Sequence, residues 1–156
     1  VPIDSRYFKK PKRDVALTAL AGPVSNILMA FCGILIASVL AAIFNKTGAH
    51  SSIGGWIQWA SISLLQYFYS LNLCLAVFNF LPVPPLDGSR ILSAALPGKI
   101  AYYYLKYERY IMIAMFVLLA QGALDNILTF LSSGLLNGIL AVVDFIFTPL
   151  ITWIFG

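Results

Sequence analysis

The feature that most constrains this chain is its long stretches without charged side chains, the first of which runs from Val15 to Phe44. A helix of that length is about 45 Å long, whereas the hydrocarbon core of a bilayer needs only about 20 residues. Charged residues make up 10% of the chain, against roughly 25% in soluble domains. The sequence therefore predicts an all-α, polytopic transmembrane helical bundle. It excludes an ordinary soluble domain and a disordered chain.

The basic residues are clustered, and their positions predict which side of the membrane each segment faces. Five lie within the first 13 residues, four lie between Arg90 and Arg109, and none follows Arg109. Because Lys and Arg collect on the cytoplasmic side of membrane proteins, residues 1–14 are interpreted as a basic cytoplasmic lead-in. Topology thus explains the sequence pI of about 9.2, and no nucleic-acid partner is expected.

Three membrane spans are predicted within a core of residues 15–130, at about 23–44, 56–81 and 110–130. Gly22-Pro23 is expected to separate the first span from a short lead-in helix, because proline removes a backbone donor. The apolar C-terminal segment, residues 131–156, is long enough for a further span or an interfacial helix.

An extended, proline-rich break is predicted after the second span, because prolines at 82, 84 and 85 prevent a regular helix. Such a segment offers backbone groups that can pair with an extended peptide. Asp87 follows it, and its residue type alone allows three roles: metal ligand, general base, or N-cap of a short helix at 88–96. Asn26, Asn72 and Asn79 place amides at membrane depth, where they either bind neighbouring helices or line a polar site.

Two segments together resemble the site-2 protease family of intramembrane zinc metalloproteases. They are Ala-Gly-Pro-x-x-Asn at residues 21–26 and Asn-x-x-Pro-x-Pro-Pro-Leu-Asp-Gly at residues 79–88. The resemblance, which extends from residue 1 to about 120, implies that Asp87 is a zinc ligand and that Asn79 contacts the substrate backbone. It further implies a substrate cleft lined by Pro82, Pro84, Pro85 and Leu86, and a structural motif formed by Gly22, Pro23 and Asn26.

The same resemblance implies the activity, which is regulated intramembrane proteolysis by a zinc metalloendopeptidase. The cofactor would be Zn²⁺, which polarises a scissile carbonyl and lowers the pKa of a bound water. The substrate would be a membrane protein or membrane segment within the lipid bilayer. The location would be a bacterial plasma membrane, and the oligomeric state is left open.

The sequence departs from the family pattern in two places. Ser89 stands where many members have a second Gly, and the chain contains no His-Glu-x-x-His. The single His50 lies in a loop predicted to be across the membrane from Asp87, and the single Glu108 lies between basic residues, where an ion-pair role is favoured. A catalytic zinc needs three protein ligands, so the zinc-binding helix and general base are expected upstream of Val1, and this chain is expected to be inactive by itself.

Two other functions remain open at this point. One is a non-catalytic membrane scaffold, or a relative that binds membrane segments, which would keep the cleft and lose the zinc. The other is a channel or transporter component in which the three asparagines line a polar path.

Overall fold

The computed structural model describes residues 11–47 and 52–155, and within these ranges the chain forms six α-helices and no strand. The predicted all-α fold is therefore confirmed for the described residues. Most of the basic lead-in and His50 lie outside them. The helices are α1 (Pro11–Thr47), α2 (Ser52–Phe80), α3 (Asp87–Ala95), α4 (Gly98–Lys106), α5 (Glu108–Ala120) and α6 (Asp125–Phe155).

Three stretches of these helices are long and apolar enough to cross a membrane. They are Lys12–Thr47, Ile53–Phe80 and Asp125–Phe147. Large apolar side chains along them are exposed, including Leu64, Phe130 and Phe145. A surface this apolar is stable in lipid and prone to aggregation in water, so the chain has the character of a membrane protein.

Helix α1 runs through Pro23 without interruption, so the predicted break at Gly22-Pro23 does not occur. Proline lacks only one amide hydrogen, and membrane helices tolerate it where neighbouring groups adjust to the freed carbonyl. Here the Pro23 ring is fully buried. The Ser25 hydroxyl adds a bond to the Gly22 carbonyl oxygen at 2.7 Å.

The predicted continuous span at about 110–130 is also absent, because α5 ends at Ala120 and α6 begins at Asp125. Gly122 adopts φ +69°, its amide donates to the Leu119 carbonyl, and the Ala123 amide donates to the Leu118 carbonyl. This pair of bonds is the Schellman motif, which ends helices at a glycine in the left-handed region. The hydropathy of this segment does not reveal the helix end at Gly122. At 13 residues, α5 is about 20 Å long and too short to cross the hydrocarbon core.

The chain divides into two compact units, which are described separately. The first comprises Val1–Asn26 and Leu75–Phe130, and the second comprises Ile27–Cys74 and Leu131–Gly156. Helices α1, α2 and α6 therefore each contribute one part to each unit.

The second unit is held together by a small apolar core. The buried side chains of this core are Ala30, Ile34, Leu73, Ile139 and Val143. At its edge, Phe31 and Phe147 meet edge to face with their ring centroids 6.3 Å apart. The buried amide of Asn72 donates to the Phe68 carbonyl at 2.8 Å, so this polar group is satisfied within its own helix.

The first unit contains the start of α1, the end of α2, helices α3 to α5 and the start of α6. Residues 81–86 between α2 and α3 are non-helical, as the prolines predict. Helix α3 follows this break directly, and Leu96-Pro97 separates α3 from α4. This unit contains Asp87 and both motifs that the sequence singles out.

Candidate functional site

Asp87 is the first residue of α3, and its side chain does not cap that helix. The N-cap position belongs to Leu86, which has extended backbone angles and no side-chain cap hydrogen bond. The N-cap role left open for Asp87 is therefore wrong. Its carboxylate instead lies in the first helical turn, where the helix dipole favours a negative charge.

The Asp87 carboxylate lies directly against the backbone of α1 at Gly22. A Cβ atom built on Gly22 would be 2.6 Å from Asp87 Oδ2 and 3.7 Å from its Cγ. Real Cβ atoms do not approach an oxygen so closely, so any side chain at residue 22 would force the Asp87 carboxylate to move. The two motifs, which are distant in sequence, thus form one site.

The face of α1 that carries Gly22 is built from residues three and four positions apart. Ala19 and Pro23 are buried on this face, and Gly22 and Asn26 are half-buried. This spacing places all four side chains on one side of a helix. The small side chains near Gly22 let the α1 backbone come close to Asp87, and Asn26 adds a polar amide one turn further along.

The proline break is folded into tight turns, so it is not a straight strand. The Leu81 amide donates to the Phe78 carbonyl, the Val83 amide to Leu81, and the Leu86 amide to Val83. The other three residues of the break, at 82, 84 and 85, are prolines without an amide hydrogen. Every backbone N–H of residues 81–86 is therefore either engaged or missing, and none is available for pairing with a peptide strand.

The predicted cleft residues differ in accessibility. Pro84 is fully buried, whereas Pro82 and Pro85 are exposed and Leu86 is half-buried. Asn79 is half-buried in the last turn of α2, one residue before that helix ends. The Pro84 ring therefore packs inside the turn, and the accessible part of the predicted cleft consists of Asn79, Pro82, Pro85 and Leu86.

Gly88 lets the start of α3 approach the end of α2. A Cβ atom built on Gly88 would collide with the carbonyl oxygens of Phe80 and Leu81. These oxygens belong to the backbone and cannot rotate away as a side chain could. The Asp-Gly pair therefore has a physical meaning in this fold: the aspartate provides the carboxylate, and the glycine allows its helix to start against α2.

The hydroxyl groups of Tyr104 and Ser89 contact the segment that carries Asp87, and the sequence had assigned a role to neither of them. The Tyr104 hydroxyl of α4 donates to the Pro82 carbonyl oxygen at 3.0 Å, and the Ser89 side chain lies within hydrogen-bonding reach of the same hydroxyl. The Ser89 hydroxyl, which is buried, also contacts the Leu86 carbonyl oxygen at 2.7 Å. No local pattern pointed to Tyr104, because its partners are far away in sequence.

The environment of Tyr104 keeps its phenol protonated. Burial raises the pKa of Tyr104 above its ordinary value of 10.0, the Ser89 hydrogen bond lowers it, and the negative charge of Glu108 raises it again. The net change is upward, so the phenol remains a hydrogen-bond donor at neutral pH. Helix α4 lies outside the three candidate spans.

The described residues do not by themselves hold a zinc ion. Among them, no group of three or more His, Cys, Asp or Glu side chains is placed to bind a metal, and a catalytic zinc takes three protein ligands. Glu108 is exposed at the start of α5. At the candidate site, the described residues place one carboxylate, that of Asp87, against α1 at Gly22.

Comparison with known proteins gives a family and two relatives. The family model "Peptidase family M50" matches residues 3–122. A Bacillus subtilis protein named "Putative zinc metalloprotease YwhC" is 33% identical over 155 residues, which is 97% of this chain and 66% of that protein. A Methanocaldococcus jannaschii protein named "Putative zinc metalloprotease MJ0611" is 36% identical over 75 residues, which is 48% of this chain and 31% of that protein.

The chain thus spans about two thirds of the first relative's length and about one third of the second's. No solved structure matches it. The family match covers both motifs and the whole segment between them, and it confirms the resemblance drawn from the sequence. The chain belongs to peptidase family M50, the site-2 protease family of membrane metalloproteases.

Proposed function

We propose that this chain is the part of an intramembrane zinc metalloendopeptidase that provides one zinc ligand, Asp87, and one wall of the substrate cleft. The observation that carries the proposal is the contact between the Asp87 carboxylate and the Gly22 backbone. This contact places the carboxylate beside α1 at a point where the helix has no side chain, and a metal ligand must lie within narrow distances of its ion. The other zinc ligands and the general base would come from residues outside these 156.

The substrate of this proposed peptidase is a membrane protein, cleaved within or near a membrane span. The break does not offer N–H groups to a substrate strand, because those of residues 81–86 are engaged or missing. We assign the backbone contact to Asn79, whose amide can both donate and accept a hydrogen bond. Asn79→Leu removes both capacities at similar volume, and it is expected to raise KM more than it lowers kcat.

The site is proposed to lie near the cytoplasmic face of a bacterial plasma membrane. Arg90, Lys99, Lys106 and Arg109 follow Asp87 closely in sequence, and such residues favour the cytoplasmic side. A cysteine placed at exposed Lys99 is expected to react with a membrane-impermeant thiol reagent in inside-out vesicles. Labelling in intact cells, without labelling in inside-out vesicles, would contradict this orientation.

The test of the zinc-ligand role is Asp87→Ala in the complete protein, purified in detergent, with measurement of zinc content and of cleavage of a model membrane substrate. Asp125→Ala is a matched control, because Asp125 is also the first residue of a helix and its carboxylate also lies beside a glycine, Gly122. We expect Asp87→Ala to lose both zinc and cleavage and the control to keep both.

Unchanged zinc content and cleavage in Asp87→Ala would reject the ligand assignment. A wild-type protein that binds membrane segments without zinc and without cleavage would instead support the scaffold function.

A further inference from the structure

We infer that Tyr104 is a positioning residue for Asp87: its phenol holds the proline turn and the start of α3 in one arrangement. The inference rests on the proposed function in one respect, namely that the position of Asp87 matters because its carboxylate binds the metal. It goes beyond that function by giving a task to a tyrosine in a different helix.

Tyr104 reaches residues on both sides of Asp87 in the sequence. Its hydroxyl donates to the carbonyl of Pro82, before Asp87, and it lies within hydrogen-bonding reach of the Ser89 hydroxyl, after Asp87. One phenol therefore connects the two sides of the segment that carries the carboxylate. Because α4 is a separate helix, this connection restrains the segment relative to a neighbouring element of the same unit.

The proline break has few restraints of its own. Three of its six residues are prolines, and its internal bonds are those of short turns, from Val83 to Leu81 and from Leu86 to Val83. Such turns span only two or three residues, and each fixes the chain only locally. The bond from Tyr104 to Pro82 spans 22 residues, and it restrains where the turn lies as well as how it is folded.

Ser89, the position where the sequence departs from the family pattern, lies in the first turn of α3. Its hydroxyl is buried and lies between the Leu86 carbonyl and the Tyr104 phenol. A glycine here would lack this hydroxyl, so in this chain the departure adds a polar connection at the start of α3. A buried hydroxyl without a partner would be unfavourable; the Leu86 carbonyl provides one partner, and the Tyr104 oxygen lies within reach as a second.

The experiment is Tyr104→Phe in the complete protein in lipid nanodiscs, with amide hydrogen exchange measured at Val83 and Leu86. The change removes one oxygen and keeps the ring. Loss of the bond is expected to speed exchange at these two amides about fivefold, which corresponds to about 1 kcal/mol. Tyr103→Phe is the matched control, because Tyr103 is the neighbouring residue and is exposed, and it should leave these rates unchanged.

Zinc affinity and steady-state kinetics of the same variants test whether the restraint positions Asp87. Tyr104→Phe is expected to weaken zinc binding about tenfold and to lower kcat with KM little changed, because the phenol is assigned no contact with substrate. Ser89→Ala should produce a smaller change in the same direction. The effect of the double variant, Ser89→Ala with Tyr104→Phe, on zinc affinity should be smaller than the sum of the two single effects, because both hydroxyls belong to one network.

Two results would overturn the inference. One is an unchanged exchange rate at Val83 and Leu86 in Tyr104→Phe. The other is faster exchange together with wild-type zinc affinity and kcat. Retention of zinc by Asp87→Ala would reject the proposed zinc role instead, and the exchange experiment would still decide whether Tyr104 restrains the turn.

Discussion

Replacement of Gly22 by alanine tests the geometry on which the site depends. The added Cβ would lie 2.6 Å from Asp87 Oδ2, and ordinary van der Waals contact begins at 3.4 Å. The carboxylate must therefore retreat by about 0.8 Å, which it can do by rotating its side chain. That displacement is about four times the ±0.2 Å within which metal–ligand distances are usually held.

The same substitution should cost little stability. An alanine inside a helix is favoured over glycine by about 1 kcal/mol, and a movable side-chain oxygen is the atom that must shift. The free energy of unfolding of Gly22→Ala is thus expected to lie within about 1 kcal/mol of the wild-type value. Its zinc affinity is expected to fall by one to two orders of magnitude, as it does when the orientation of a ligand is lost. This combination separates a local effect on the carboxylate from general misfolding.

The assay is zinc affinity by competition with a chelator, together with thermal unfolding, on the complete protein in detergent. Gly138→Ala is the control, because Gly138 lies inside α6 and a Cβ there meets nothing within 4 Å. It should gain up to about 1 kcal/mol and keep its zinc. If Gly22→Ala keeps wild-type zinc affinity, the carboxylate does not depend on the absence of a side chain at residue 22, and the reasoning is refuted.

Three further predictions concern stability, each measured by thermal or SDS unfolding of detergent-solubilised protein. Gly88→Ala should destabilise the protein by about 1–3 kcal/mol, because its Cβ meets backbone oxygens of α2 that cannot move aside; wild-type stability would contradict this contact. Gly122→Ala should cost about 1–2 kcal/mol, because φ is +69°, and a stabilised variant would argue against the Schellman turn. Leu73→Ala should cost about 2 kcal/mol, the low end for a buried leucine, because lipid reduces the transfer term and leaves mainly lost packing; a neutral result would mean that Leu73 is not in a core.

Local signals predicted much of this fold, and where they failed the cause is also local. Long stretches without charge predicted membrane helices, and three prolines predicted the break before α3. Hydropathy gave the wrong third span, because it cannot detect that Gly122 takes a left-handed conformation and ends α5. Pro23 was given too much weight, because one missing amide hydrogen does not break a helix whose neighbouring groups adjust.

Some features of the candidate site could likewise be predicted from the sequence, and others could not. The residue types of Gly22, Asp87 and Asn79 could be selected from the sequence, because their spacing resembles that of a known family. The loss of free backbone donors in the break could not be foreseen, because it depends on the turns that the prolines adopt.

By itself, the sequence determined that this chain is helical, suited to a membrane and a member of a metalloprotease family, since these properties follow from hydropathy, proline and short motifs. Only the tertiary structure decided that Asp87 lies against Gly22 and that Tyr104 connects Pro82 with Ser89. Contacts between residues far apart in the chain depend on which helix faces pack together. That packing depends on the shapes of entire helix surfaces, and the hydrophobic periodicity of a single segment does not predict it.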